Sequence, residues 1–180
     1  MPQLNFEFKA KTNKLTDLEN KFLLLNPLFA GEDHQIDTYF NVPEGRLKLR
    51  EGNIENSLIY YERENAAEAK QSHIILYEHL PDKALKEILI KVHGVKAVVD
   101  KKRKIYFIDN VKFHFDMVQG LGTFIEVEAL DKNPSTGILK LKQQCDHYAG
   151  FFGINKSNFI AVSYSDLILE NQQKIGVDFY

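Results

Sequence analysis

The stretch "NFEFKAK", residues 5–11, alternates strictly between apolar and polar side chains. Phe6, Phe8 and Ala10 fall at every second position, and a period of two is typical of a β-strand whose two faces differ. The apolar face is expected to pack into a core. The opposite face points either at water or at a ligand, and it carries Asn5, Glu7, Lys9 and Lys11.

Runs with the same strand character recur along the chain and are bounded by turn residues. They cover residues 3–11, 36–42, 45–51, 57–63, 72–78, 98–108, 111–118, 123–130 and 159–164. Three other stretches repeat apolar residues with helical spacing, at 15–25, 81–94 and 138–153. Many strands with few helices favour an α+β fold with a mostly antiparallel sheet. Closure into a barrel, which removes exposed sheet edges, is the expected architecture.

The composition indicates one domain over residues 1–180, with a core of about 3–170 and a looser tail from about Asn171. A net charge of −2 and a pI of about 6.3 argue against a general nucleic-acid-binding protein. The single cysteine, Cys145, fits a reducing compartment. Because neither a membrane span nor a signal peptide is recognisable, we predict a cytoplasmic protein without membrane contact.

The same alternation places charged residues on one face of the other predicted strands. On any one strand such a face is most simply exposed to water. If all of these faces met inside one barrel, the interior would hold an excess of four positive charges. The bases would be Lys9, Lys11, Arg46, Lys48, Arg50, Arg63, Lys101 and Arg103. The acids would be Glu7, Asp116, Glu126 and Glu128.

Such an interior needs partners, because buried charges that are left unpaired are strongly unfavourable. A ligand with several phosphates would supply them, since Lys and Arg bind phosphate oxygens well. Neighbouring carboxylates such as Glu126 and Glu128 suit a hard divalent cation that prefers oxygen ligands. The residues alone therefore predict a phosphate site with a metal beside it.

Several blocks together resemble the CYTH domain family, also called the triphosphate tunnel metalloenzymes. These blocks are "NFEFKAK", "QIDTYFNVPEGRLKLRE", "LIYYERENAAEAKQS", "KKRKIYF", "FHFDMVQGLGTFIEVEAL" and "SYSDLI". They occur in the family's order over about residues 3–170. The family includes class IV adenylyl cyclases and thiamine triphosphatases.

The resemblance implies an eight-stranded antiparallel barrel, or tunnel, that binds a triphosphate with Mg²⁺ or Mn²⁺. It assigns metal binding to Glu7, Glu126 and Glu128, assisted by Asp116. Phosphate binding is assigned to Lys9, Arg46, Lys48, Arg50, Arg63, Lys101 and Arg103, and Lys11 shares the face of Lys9. The family's first motif is usually Glu-x-Glu-x-Lys, and Asn5 stands where the first Glu is expected.

Two reactions fit such a site. The blocks "KKRKIYF", "GLGTF" and "LKLKQQCDHYAGFFG" resemble class IV cyclases most, which implies conversion of ATP to cyclic AMP and pyrophosphate. The alternative is a triphosphatase that hydrolyses thiamine triphosphate, a nucleoside triphosphate or inorganic tripolyphosphate. Lys9, Arg63 and His114 are the candidate catalytic residues. His114 could act as a general base or as a hydrogen-bond partner inside the barrel.

Two non-enzymatic interpretations remain. A triphosphate- or polyphosphate-binding module without turnover is consistent with the neutral Asn5. A nucleic-acid patch at "KKRK", residues 101–104, is disfavoured because strand alternation sends Lys101 and Arg103 to one face and Lys102 and Lys104 to the other. The expected partner is thus a small triphosphate, with the protein itself a monomer or a homodimer.

Overall fold

Eight antiparallel strands close into a barrel in the order β1-β5-β4-β3-β2-β6-β7-β8, with β8 pairing back onto β1. The computed structural model describes residues 3–63, 70–131 and 137–177, with side chains for all but 3, 4, 63, 70–73 and 175–177. The strands are β1 (Gln3–Lys11), β2 (Leu28–Phe40), β3 (Arg46–Glu51), β4 (Ser57–Arg63), β5 (Lys70–Glu78), β6 (Val95–Ile108), β7 (Val111–Val118) and β8 (Gly122–Leu130). The predicted α+β barrel is confirmed.

Four α-helices lie outside the barrel wall or at its end. They are α1 (Leu15–Leu23), α2 (Lys83–His93), α3 (Ile138–Phe152) and α4 (Tyr164–Val177). The first three match the predicted helical stretches. Of the helices that the structure describes, none combines the length and the apolar character needed to cross a membrane.

The main hydrophobic core lies between the barrel wall and the helices α1 and α3. Phe6, Phe8 and Ala10 of β1 are buried there, together with Phe22 of α1 and Leu141 of α3. The predicted alternation of β1 is therefore correct. A smaller cluster packs α2 onto β2 and β3 through Leu89, Phe40 and Leu49. Because the apolar faces of β1, β3, β7 and β8 pack outward against helices, their opposite faces line the barrel interior.

Two segments differ from the prediction. Strand β2 begins at Leu28, eight residues earlier than expected, because residues 28–35 pair with β6 through a bulge near Gly31 and show no apolar alternation. The segment 159–164 is not a strand: Phe159 forms an isolated bridge to Ala10 and the chain then enters α4.

The C-terminal part of the chain contains a helix that the sequence analysis did not delimit. Helix α4 is 14 residues long and continues through Asn171 to Val177, and the looseness of the tail from about Asn171 stays a prediction. Its apolar residues pack on the end of the barrel with Tyr39, Val99 and Phe124. The polar segment 64–72, interpreted as a possible flap, falls largely on residues 64–69, which lie outside the described residues.

Candidate active site inside the barrel

The barrel interior contains a cavity of about 550 Å³. We call one end the mouth, where β1 begins and β5 ends, and the other the closed end, where β1 ends and α4 begins. Leu76, Leu80 and Leu130 line the mouth, and Ser163 and Tyr164 line the closed end. A cavity of this size is within the range of small-molecule sites.

Charged side chains line a large part of this cavity, and among the described residues acids and bases are equal in number. The bases are Lys9, Lys48, Arg50, Lys101, Arg103 and Lys112. The acids are Glu7, Asp37, Glu55, Glu78, Glu126 and Glu128. The predicted excess of four positive charges is therefore wrong for the described cavity. The prediction did not count the acids Asp37, Glu55 and Glu78, and it included Lys11, Arg46 and Arg63, which are not among the lining residues.

Asp37 is the anion around which three of the bases gather. Its carboxylate accepts from Lys48 Nζ at 3.0 Å, from Lys101 Nζ at 2.6 Å and from Arg50 Nε at 2.9 Å. Burial alone would raise the pKa of Asp37, but the charges of Arg50, Lys101 and Lys48 outweigh it and hold this pKa well below its usual range. One carboxylate thus gathers three basic side chains, and burial lowers the pKa of one of them, Lys101, well below its usual range.

A second group of contacts lies nearer the closed end. Arg103 donates to Asp116 through Nε at 2.7 Å and through a terminal nitrogen at 2.6 Å. Glu126 lies 3.2 Å from Lys9 Nζ and 3.7 Å from Arg103. Asp116 also accepts from the hydroxyl of Tyr164, so both of its oxygens are engaged. Its predicted role as an assisting metal ligand stays a prediction.

His114 is buried beside Glu126, with Nδ1 3.3 Å from Glu126 Oε1. Burial, reinforced by the positive charge of Arg103, lowers the pKa of His114 to about 4. The imidazole is therefore neutral at physiological pH, and a group with so low a pKa is a weak general base. Its geometry favours the alternative role of hydrogen-bond partner to Glu126.

Glu7 and Glu128 face each other across the β1–β8 pair and form the carboxylate part of the site. Burial, together with the negative charge of Glu7, raises the pKa of Glu128. Asn5 Nδ2 donates to Glu128 Oε1, and the buried Asn5 Oδ1 has no hydrogen-bond partner. Two carboxylates and an amide oxygen are the hard ligands that Mg²⁺ and Mn²⁺ prefer, so the residues fit such an ion. The described residues do not, however, present a ready-made cluster of three His, Cys, Asp or Glu ligands.

Three predicted phosphate ligands are not seen in this cavity. Lys11 is exposed and lies over the ring of Phe124 with 5.8 Å between Nζ and the ring centroid. Arg46 bonds to Asp166 of α4 at 3.0 Å, beyond the closed end. The side chain of Arg63 lies outside the described residues. Their phosphate-binding roles, and the catalytic role of Arg63, remain predictions.

The mouth has a different character from the interior. Ile54, Ile59 and Ile74 line the cavity there next to Leu76, which is 50% exposed, and Leu80, which is 88% exposed. Apolar side chains that remain exposed around a polar cavity are typical of a site that receives an apolar group of a ligand. The mouth thus carries these apolar side chains together with Glu78 and His79, which lie between Leu76 and Leu80 in the chain, and the buried ion pairs lie further in.

A family model for the CYTH domain matches residues 3–149. The chain belongs to the CYTH domain family. The predicted resemblance is therefore confirmed. The match ends within α3, so α4 with Tyr164 lies beyond it. Comparison with curated protein sequences gave no significant match.

Three of the solved structures similar to this CYTH domain come from an archaeon, a bacterium and a plant. The PH1012 protein from Pyrococcus horikoshii OT3 is 25% identical, with a TM-score of 0.78 over 91% of this chain and 98% of that chain. A protein from Vibrio parahaemolyticus, proposed as an adenylate cyclase, is 18% identical, with a TM-score of 0.73 over 93% and 99%. A Hippeastrum protein, proposed as an adenylyl cyclase and found to have a dominant triphosphatase activity, is 13% identical, with a TM-score of 0.62 over 95% and 96%.

Several important residues of this CYTH domain were not predicted. Asp33, fully buried, accepts from the backbone N–H groups of Asn53, Ile54 and Glu55 and so fixes the β3–β4 loop. This loop directs Glu55 to Arg50 and Lys112. Asp33 and Gln35 lie at alternate positions before Asp37 on β2, so they share its inward face. The alternation could have revealed this, but residues 32–35 include no apolar side chain that would suggest a strand.

Proposed function

We propose that this protein is a divalent-metal-dependent enzyme that converts ATP to cyclic AMP and pyrophosphate within the barrel. The observation that carries the proposal is the group of apolar side chains, Leu76, Leu80 and Ile74 among them, at the mouth of a cavity whose interior is charged. A triphosphate chain matches the interior, and an attached base and sugar match the mouth. An inorganic tripolyphosphate would leave the apolar residues at the mouth without a partner.

The order of charged residues along the strands supports cyclisation in particular. If the phosphates enter first, the terminal phosphate faces Lys9 and Arg103 near the closed end. Glu7 pairs with Glu128, and Lys9 pairs with Glu126 two residues further from the mouth. Two residues span roughly 7 Å along a strand, so the Glu7–Glu128 pair lies about that much closer to the mouth. Metal-binding carboxylates at this level would lie beside the phosphorus that carries the sugar, where cyclisation takes place.

In this reaction the ribose 3′-oxygen forms a bond to the α-phosphorus, the bond from that phosphorus to the bridging oxygen breaks, and pyrophosphate leaves. The 3′-hydroxyl proton passes to solvent or to a nearby carboxylate. A divalent cation held by Glu7, Glu128 and Asn5 would supply positive charge to the phosphate oxygens. Arg103, Lys101 and Lys9 would bind the leaving pyrophosphate. Phosphoryl chemistry depends mainly on such positioning and charge stabilisation.

Hydrolysis is the second candidate reaction. The exposure of Leu76 and Leu80 supports it, because a mouth that is open to solvent admits the attacking water. The Hippeastrum protein combines this fold with triphosphatase activity. Both reactions use the same ligands for the phosphate chain, and they differ in the nucleophile and in the phosphorus atom that is attacked.

A product assay tests the proposal directly. ATP, thiamine triphosphate and tripolyphosphate are incubated with the protein and Mg²⁺ or Mn²⁺, and the products are separated by anion exchange. The inactive control is Glu126→Gln inside the cavity. The matched surface control is Glu87→Gln on the exposed face of α2, which is expected to keep full activity.

Cyclic AMP with pyrophosphate supports the proposal, whereas orthophosphate release assigns the triphosphatase reaction. Binding of ATP without any product would overturn both reactions in favour of a binding module. In that case Asn5→Glu is the decisive variant, because it adds a third carboxylate beside Glu7 and Glu128. Turnover by that variant would attribute the inactivity to Asn5.

A further inference from the structure

The first turn of α4 forms the closed end of the cavity. Ser163, Tyr164 and Ser165 are all buried there. Asp166 fixes the turn, because its side chain accepts from the backbone N–H and the hydroxyl of Ser163 while its own N–H donates to Ser163 Oγ. The same carboxylate bonds Arg46 at the start of β3. The turn is thus held to itself and to the barrel.

Tyr164 extends from this turn into the cavity and is 4% exposed. Its hydroxyl donates to Asp116 Oδ2 at 2.7 Å. Its ring lies against Lys9, with Nζ 4.2 Å from the ring centroid, and packs edge-on to Phe124 at 4.9 Å. One side chain therefore contacts two separate charged groups of the barrel.

These contacts complete a closed cycle of charged and aromatic side chains. Tyr164 bonds Asp116, Asp116 bonds Arg103, and Arg103 lies near Glu126. Glu126 pairs with Lys9, whose ammonium returns to the ring of Tyr164. Four members come from β1, β6, β7 and β8, and the fifth comes from α4. Without α4 the cycle would be open at both Lys9 and Asp116.

We propose that Tyr164 is a positioning residue that holds Lys9 and Arg103 in place for the terminal phosphate of the substrate. This inference rests on the proposed triphosphate function. The aromatic face attracts the Lys9 ammonium and carries no net charge of its own, so it fixes Lys9 without adding a second anion to the pair with Glu126. The Tyr164 hydroxyl orients the Asp116 carboxylate. That carboxylate accepts two hydrogen bonds from Arg103 and so orients the guanidinium. The family match ends at residue 149, before the block "SYSDLI" that holds Tyr164.

The test measures binding of inorganic tripolyphosphate by titration calorimetry, with EDTA present so that no metal contributes. Tyr164→Phe removes only the hydrogen bond to Asp116, and Tyr164→Leu also removes the ring next to Lys9. The matched control is Tyr106→Phe. Tyr106 is also 4% exposed and donates to a carboxylate, Glu19, at 2.6 Å, but it lies outside the barrel.

We expect Tyr164→Phe to weaken binding about tenfold and Tyr164→Leu roughly thirtyfold, because a hydrogen bond to a charged group and a cation–π contact are lost in turn. Tyr106→Phe is expected to bind like the wild type, although both Tyr→Phe variants lose similar thermal stability. That contrast separates a positioning role from a structural one, and Tyr164→Phe keeps the test valid if the Leu variant does not fold.

Equal affinity of Tyr164→Phe, Tyr106→Phe and the wild type would overturn the role of Tyr164 and leave the proposed function untouched. Failure of the wild type to bind tripolyphosphate or ATP would overturn the proposed function and this inference with it. Weakened binding by Tyr164→Phe in a protein that forms no product from any triphosphate supports the inference while contradicting the enzymatic function.

Discussion

Asp37 shows how a single carboxylate organises the cavity. It accepts from Lys48, Arg50 and Lys101 and is almost completely buried. Removing one partner from such a group leaves the other charges buried and unpaired, which is more harmful than losing an exposed ion pair. The stability of the barrel should therefore depend strongly on this residue.

We predict that Asp37→Asn lowers the free energy of unfolding by about 3–5 kcal/mol at neutral pH. The measurement is urea denaturation. The matched control is Asp146→Asn, which breaks an exposed pair with Lys156 and should cost less than about 1 kcal/mol. Because the pKa of Asp37 is lowered in the folded state, its contribution is present above the unfolded pKa and is lost as the pH falls. Equal losses in the two variants would contradict this role.

The pKa of Glu128 is shifted in the opposite direction from that of Asp37, because burial and the negative charge of Glu7 raise it. The folded protein then retains this proton to a higher pH than the unfolded chain, so ionisation lowers stability as the pH rises through the folded pKa. We predict that Glu128→Gln raises the melting temperature by about 2–4 °C at pH 8, and that this gain disappears at acidic pH.

Divalent cations provide the second measurement on Glu128. Mg²⁺ should raise the melting temperature of the wild type by binding between Glu7 and Glu128, and it should have little effect on Glu128→Gln. Glu87→Gln on α2 is the control for loss of an exposed carboxylate. If Mg²⁺ raised the melting temperature of Glu128→Gln as much as that of the wild type, the metal site would not lie between Glu7 and Glu128.

The β3–β4 loop depends on a close approach to Asp33. A Cβ on Gly52 would lie 2.7 Å from the Asp33 carboxylate oxygens and 2.7 Å from the Glu55 carbonyl oxygen. Asp33 cannot move away easily, because it accepts from three consecutive backbone N–H groups of the loop. Gly52 is thus required for the conformation that directs Glu55 into the barrel.

We predict that Gly52→Ala lowers stability by roughly 1–3 kcal/mol, as expected for an added methyl group without space. Gly150→Ala provides the opposite case, because Gly150 lies in α3 with no atom within 4 Å of an added Cβ. In a helix this replacement should stabilise the protein by about 0.4–1 kcal/mol. Thermal melting compares the two variants, and a neutral Gly52→Ala would show that the loop can adapt.

Closure of the barrel gives the two faces of each strand different environments. On β5, Leu76 faces the cavity mouth and is 50% exposed, whereas its neighbour Ile75 points outward and is 57% exposed. These two residues are similar in size, exposure and position along the strand. They therefore separate an effect on the cavity from a general loss of surface hydrophobicity.

We predict that Leu76→Ser weakens ATP binding about three- to tenfold and leaves tripolyphosphate binding unchanged, since only ATP carries a group that reaches the mouth. Ile75→Ser should affect neither ligand. Competition binding against a labelled nucleotide measures both affinities. If Leu76→Ser weakened both ligands equally, the mouth would not be the site of the organic group.

Much of this fold follows from local patterns along the chain. Seven of the eight strands and three helices were predicted close to their observed bounds, because apolar residues with a period of two or of 3.6 reveal which face is buried. The early part of β2 was missed because Glu32, Asp33, His34 and Gln35 are polar on both faces. Helix α4 was underestimated, although "SYSD" at 163–166 is a capping-box pattern at its start.

Parity along each strand determined which charged residues point inward, and for that reason Lys9, Lys48, Arg50, Lys101, Arg103 and the glutamates of β8 were identified from the sequence. Parity says nothing about which inward residues meet. Asp37 reaches three bases, Glu55 reaches Lys112, and Tyr164 joins Lys9 to Asp116, over separations of up to 155 positions in the chain. Only the closed barrel decided these contacts and the charge balance of the cavity, because strand order and register bring together residues that local periodicity cannot relate.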